Sequence, residues 1–119
     1  ASIKFVSMAH PPETLGVRVE HDGKVVAYSA DSGPAADFKA LAADADLFLC
    51  EATMQGDAEW EGHLNAAQAA AIARDAGARR LVLTHLPPER DPAASLAEAR
   101  QVAVDAALEV AEEGRRFEV

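Results

Sequence analysis

The sequence of 119 residues holds one cysteine, one tryptophan and one tyrosine, and only 5% of it is aromatic. A lone cysteine, Cys50, excludes an internal disulfide and fits the reducing cytoplasm. No apolar run approaches the roughly 20 residues needed to cross a bilayer, and nothing at the start resembles a secretion signal. A cytoplasmic protein without a membrane partner is therefore expected. Basic residues are scarce too, with 11 Lys and Arg against 20 Asp and Glu and a net charge of −9. Such a surface repels phosphate backbones over long range. The pairs Arg79-Arg80 and Arg115-Arg116 are too small to reverse that, so RNA or duplex binding would need basic surface from outside these residues. What the chain has is alanine, within a hydrophobic half of the sequence. Small apolar side chains suit tightly packed α/β layers, and the length allows a single core.

The stretch His63 to His85, HLNAAQAAAIARDAGARRLVLTH, organises the rest. Asn65 and Gln68 form a capping-box pattern that starts a helix, and Gly77 is placed to stop it in the left-handed conformation. Leu81 to Thr84 is a short apolar run of the kind buried in parallel sheets. His85 follows it, and Pro87-Pro88 prevents continuation. Upstream, Ile3 to Ser7 reads as a strand, Leu15, Val17 and Val19 alternate as a half-buried one, and Asp22-Gly23 marks a hairpin into Val25 to Ser29. Pro34 fits the first turn of a helix bearing Phe38, Leu41 and Ala42 inward. Leu47 to Cys50 is the next buried strand, ending at Glu51. Asp91-Pro92 opens a last helix, with a second capping box at Ser95 and Glu98. Leu108 to Ala111 and Arg116 to Val119 read as a closing hairpin.

This order is a β-meander followed by three β-α-β crossovers, whose right-handedness puts the helices on one face of the sheet. Yet Leu47-Phe48-Leu49 and Leu81-Val82-Leu83 show no polar alternation, so both faces require cover. Something beyond these residues should supply the second layer.

Three chemically useful groups fall just past apolar strands: Asp31, Glu51 and His85. His63 joins them from the amino end of the central helix. In open α/β sheets function collects at the carboxyl ends of strands, so parallel strands bring all four to one rim. Aspartate and histidine suit zinc or a similar divalent ion, and a glutamate orients a neighbouring histidine. Taken singly each has a plainer reading: Asp31 as a turn residue, Glu51 as a solvated strand end, His63 as an exposed loop histidine. Their coincidence favours a site. His10 is a further candidate for the same rim, His21 belongs to the hairpin turn, and Trp60 is either a contact residue or the cover of an acidic loop.

The motifs AHPPETLGVRVEHDGKVVAYSADSG, LFLCEAT, GHLNAAQAAAIARDAGA and RLVLTHL resemble the C-terminal half of the metallo-β-lactamase fold, in the branch of tRNA 3′-processing endonuclease (RNase Z) and related phosphodiesterases. The resemblance implies an α/β fold, half of an αβ/βα sandwich, with residues 1–119 as its C-terminal half. It implies two divalent metal ions, zinc foremost, with Asp31 bridging them and His85 as the last histidine ligand. His63 would assist proton transfer, supported by Glu51, and His10 would serve substrate binding. A metal-bound hydroxide would attack a phosphodiester, a small one such as a cyclic nucleotide fitting the charge better than a tRNA 3′ end.

The family's His-x-His-x-Asp-His run has no counterpart here, where the histidines are His10, His21, His63 and His85. Asp31 and His85 cannot complete a two-metal centre. The expectation is a fragment of a longer hydrolase, inactive alone, whose partner is the N-terminal half or a second copy in a homodimer. A non-catalytic module that binds a partner or itself through the uncovered sheet face is the competing expectation.

Overall fold

The computed structural model describes residues 1–119. Its elements are β1 (Ser2–Ser7), β2 (Leu15–His21), β3 (Lys24–Tyr28), α1 (Phe38–Ala42), β4 (Leu47–Glu51), α2 (Ala66–Ala76), β5 (Arg80–Thr84), α3 (Pro92–Val102) and β6 (Ala107–Val110). They form one six-stranded sheet in sequential order. β1, β2 and β3 are antiparallel, and β3 to β6 run parallel. The Asp22-Gly23 turn joins β2 to β3 with both residues at positive φ, the geometry a two-residue hairpin needs.

Each crossover helix packs on the same face. Ala27, Phe48, Cys50, Leu81, Leu83 and Leu108 point there and share one core with Leu41, Leu64, Ala69, Ala70 and Ala99. Alanine lets α2 lie close to the sheet, and its capping box is complete: the Asn65 side chain accepts from the Gln68 N–H at 2.8 Å, and the Gln68 side chain accepts from the Asn65 N–H at 2.9 Å. Gly77 ends it in the left-handed conformation.

The opposite face follows from the register. Ile3 and Phe5 stand beside Val19 and Val17, which adjoin Val26 and Tyr28. Ile3 is 61% and Phe5 60% exposed, so this apolar surface lacks a covering layer among these residues.

Three local expectations need correction. Pro34 lies before α1 rather than in it: Asp37 is the cap, accepting from the Ala40 N–H, because its carboxylate satisfies a free helix-end donor that proline cannot. Ser95 and Glu98 form no capping box, since Asp91 already caps α3 with Pro92 following. Their side chains instead hold the loop after β4. The closing hairpin is absent: β6 pairs parallel with β5, and residues 111–119 form no strand. Ion pairs and stacking hold that tail, with Arg115 on Glu109 and both Arg80 and Arg115 over the Phe117 ring.

One acidic group locks the parallel register. The Asp46 Oδ2 accepts from the Val25 N–H at 2.9 Å, with Lys24 and Arg79 each 3.6 Å from Oδ1. That backbone hydrogen bond first, then the two cations, hold its carboxyl below the ordinary aspartate range. A depressed folded-state value contributes stability that is present above the unfolded pKa and lost as the pH falls through the folded one. Urea midpoints measured at descending pH should therefore decline through the acid range, with a shallower decline in Asp46→Asn.

Candidate functional site

β1, β3, β4 and β5 all point their carboxyl ends to the same edge, because two antiparallel pairings restore the direction of β1 in β3. The end of β4 carries Glu51 at that edge, and the loops leaving it carry His10, Asp31, His63 and His85. Ala30 and His85 adopt positive φ, 51° and 60°, although neither is glycine. Such strain collects where the surrounding structure aims a functional group.

Glu51 is fully buried at the end of β4. Its Oε1 accepts from the Ser32 N–H at 3.1 Å and faces the His63 Nδ1 at 2.5 Å. Its Oε2 accepts from the N–H groups of Thr53 and Leu64, each at 3.0 Å. All the carboxylate's acceptor sites are thereby used. A carboxylate only accepts, so Nδ1 of His63 carries the proton and Nε2 is left free to exchange one.

Around His63 the rings form a cluster. His10 meets it edge-on at 5.0 Å between centroids, His85 stacks at 5.5 Å and Trp60 lies tilted at 5.0 Å. Asp31 sits between the other two histidines, with Oδ1 3.6 Å from His85 Nε2 and Oδ2 4.0 Å from His10 Nε2. The expected carboxylate and imidazoles thus share one rim, and His10 joins them. His21 lies away in the hairpin turn beside Asp22.

Glu51, His63 and His85 bring possible ligand atoms within 4.8 Å of one another. The donor chemistry nevertheless favours Asp31 over Glu51, whose oxygens already hold four partners. Two ligand atoms about 2.1 Å from one tetrahedral ion lie about 3.4 Å apart. The 3.6 Å between Asp31 and His85 fits that spacing. A metal would find here two ligands of suitable type, but not a full shell.

Sequence reasoning missed three supports. Thr53 Oγ1 lies 2.7 Å from His85 Nδ1, fixing the ring so that Nε2 faces Asp31. Ser29 Oγ accepts from the Glu51 N–H, and Ser32 Oγ from the Ala9 N–H, tying the β1, β3 and β4 loops together. The clue lay in small hydroxyl residues clustered beside the acids, though such residues are equally ordinary in turns. Tyr28 registers the local field: burial first, then Asp31 and Glu51, raise its phenol above the usual value. Cys50 is enclosed, and burial followed by the Glu51 charge raises its thiol, so it acts as a small apolar residue.

This sheet and rim define a metallo-β-lactamase fold, and residues 3–86 match the Beta-lactamase superfamily domain. The chain belongs to that superfamily. It is 48% identical over 114 residues to the Ribonuclease Z of Salinibacter ruber, covering 92% of this chain and 34% of that protein. With the probable metallo-hydrolase YhfI of Bacillus subtilis it shares 36% identity over 88 residues, 72% of this chain and 36% of that protein. The crystal structure of YhfI superposes with a TM-score of 0.89 at 31% identity, covering 95% of this chain and 47% of that one. Human tRNase Z, short form, gives 0.69 at 25% identity over 92% of this chain and 39% of that chain. The chain thus spans about a third of the length of the curated relatives it matches.

Proposed function

We propose that the whole protein is a metal-dependent phosphodiesterase and that these residues form the half of its site holding Asp31, His85, His63, Glu51 and His10. The reading is carried by Asp31 standing between two imidazole nitrogens while a third imidazole, on His63, is held by a buried carboxylate. Similarity to Ribonuclease Z supports the phosphodiester class. The net charge of −9 favours a small phosphodiester such as a cyclic nucleotide over a tRNA 3′ end.

Asp31 and His85 would hold part of a centre of two divalent ions, zinc being suited to an oxygen and nitrogen donor set. When bound, the metal supplies Lewis acidity to the phosphoryl oxygens. The chain's own residues do the rest. Thr53 keeps His85 Nε2 turned to Asp31. Glu51 holds the Nδ1 proton of His63, so Nε2 can take up a proton from water and give it to the leaving oxygen, returning to neutral imidazole. His10, with Nδ1 3.4 Å from the Thr14 hydroxyl, directs Nε2 into the cleft, where it can contact the phosphate.

The remaining ligands would come from the remainder of the protein, docked on the open sheet face beside Ile3 and Phe5, and a cytoplasmic setting agrees with the single cysteine. These 119 residues alone are then inactive. That same exposed face supports the second reading, a non-catalytic module that binds a partner or dimerises through it.

Metal analysis of the whole protein, with assays on a cyclic nucleotide, bis(p-nitrophenyl) phosphate and a tRNA precursor, separates the two. Bound divalent metal and hydrolysis are expected. His63→Ala should lower kcat by about 10²- to 10⁴-fold with metal content retained, whereas Asp31→Ala should lose both. Metal-free protein inert towards all three substrates would leave the binding module.

A further inference from the structure

We infer that Trp60 is a stacking platform for the nucleobase of a nucleotide phosphodiester, which narrows the substrate class and rests on the phosphodiesterase reading above. Trp60 is the chain's only tryptophan and is 55% exposed, although the same chain has few aromatics to place anywhere. Its ring centroid lies 5.0 Å from that of His63, so a group bound on the indole lies next to the proton-exchanging imidazole.

The surrounding loop is held at both ends. The Gln55 side-chain amide donates to the Asp91 carbonyl at 2.9 Å and to Ser95 Oγ at 3.0 Å, and the Gly56 N–H donates to Glu98. The Met54 N–H donates to the Leu64 carbonyl, and the Asn65 side-chain amide to the Ala58 carbonyl at 3.2 Å. The His63 N–H donates to the Trp60 carbonyl at 3.4 Å. An exposed apolar ring on a fixed rim is pre-organised for a flat partner, whose ordering cost is then small.

Charge selects that partner. Asp57, Glu59 and Glu61 neighbour Trp60 in the sequence, and an acidic loop disfavours a polyphosphate strand but not a neutral base. The phosphate would lie towards His10 and His85, and the base of the adjoining nucleoside over Trp60. Stacking tolerates any base, because each has a π face. The chain therefore recognises a nucleoside flanking the phosphate, without base identity.

Two esters with one leaving group test this in the whole protein: the p-nitrophenyl ester of thymidylate and methyl p-nitrophenyl phosphate. The preference for the nucleoside ester in kcat/KM should fall about tenfold in Trp60→Ala, mainly through KM, and be restored in Trp60→Tyr. Calorimetric titration with adenosine monophosphate should show a matching loss of affinity, absent with methyl phosphate. An unchanged preference together with unchanged nucleotide affinity would overturn the platform while leaving hydrolysis intact. Failure to hydrolyse either ester, with Trp60-dependent nucleotide binding retained, would overturn the enzymatic reading and keep the platform.

Discussion

Glu51→Ala is expected to be the most damaging single substitution in the chain. Alanine strands the N–H groups of Ser32, Thr53 and Leu64 without the acceptor they now share. Each unsatisfied buried donor costs about 1 kcal/mol or more, so the loss should reach about 3 kcal/mol. Glu51→Gln separates structure from chemistry. Its amide nitrogen can face His63 Nδ1, which then accepts, and only the Ser32 N–H is left without a partner. The exchange moves the imidazole proton to Nε2 and removes the free lone pair there. Urea unfolding should therefore rank the alanine variant well below glutamine. Activity of the whole protein should be nearly lost in both. Equal stability of the two variants would show that Glu51 is not the acceptor that gathers these loops.

Gly33→Ala should be nearly as harmful for a different reason. A Cβ built at Gly33 falls 1.6 Å from the Glu61 carbonyl oxygen and 2.3 Å from its carbon. Both are backbone atoms, so no side chain can swing aside. The turn carrying Asp31 and the turn carrying His63 must separate, at a cost of about 1–3 kcal/mol or more. Because those two residues lie within two positions of the clash, metal retention and kcat should fall together with the urea midpoint. A stable variant with full activity would mean that the two turns tolerate separation.

Much of this was readable before any coordinates. The Asn65–Gln68 box, the stop at Gly77 and the hairpin at Asp22-Gly23 depend on residues a few positions apart, so local chemistry settles them. Ser95 and Glu98 had the same spacing and misled, since Asp91 with Pro92 offered a competing cap one turn earlier and Gln55 and Gly56 claimed the side chains. The tail misled for lack of a local alternative: parallel pairing of β6 with β5 satisfies its backbone through a distant strand.

At the site, placement of Asp31, Glu51 and His85 at strand ends followed from hydrophobic pattern alone. Their partners did not. Thr53 reaching His85, and Gly33 pressed under Glu61, arise from loops brought together by neighbouring strands.

The sequence by itself determined the order of strands and helices as far as β6, the shared rim and the need for a second layer on the sheet. Periodicity, caps and turn residues are short-range quantities, and they suffice for that. Only the tertiary structure decided that Glu51 is consumed by three backbone N–H groups and His63, while Asp31 stays open between His10 and His85. Which carboxylate orients and which is free for a ligand depends on Ser32, His63 and Leu64, donors to Glu51 that each lie more than ten residues away. That competition for hydrogen bonds exists only once the loops have met.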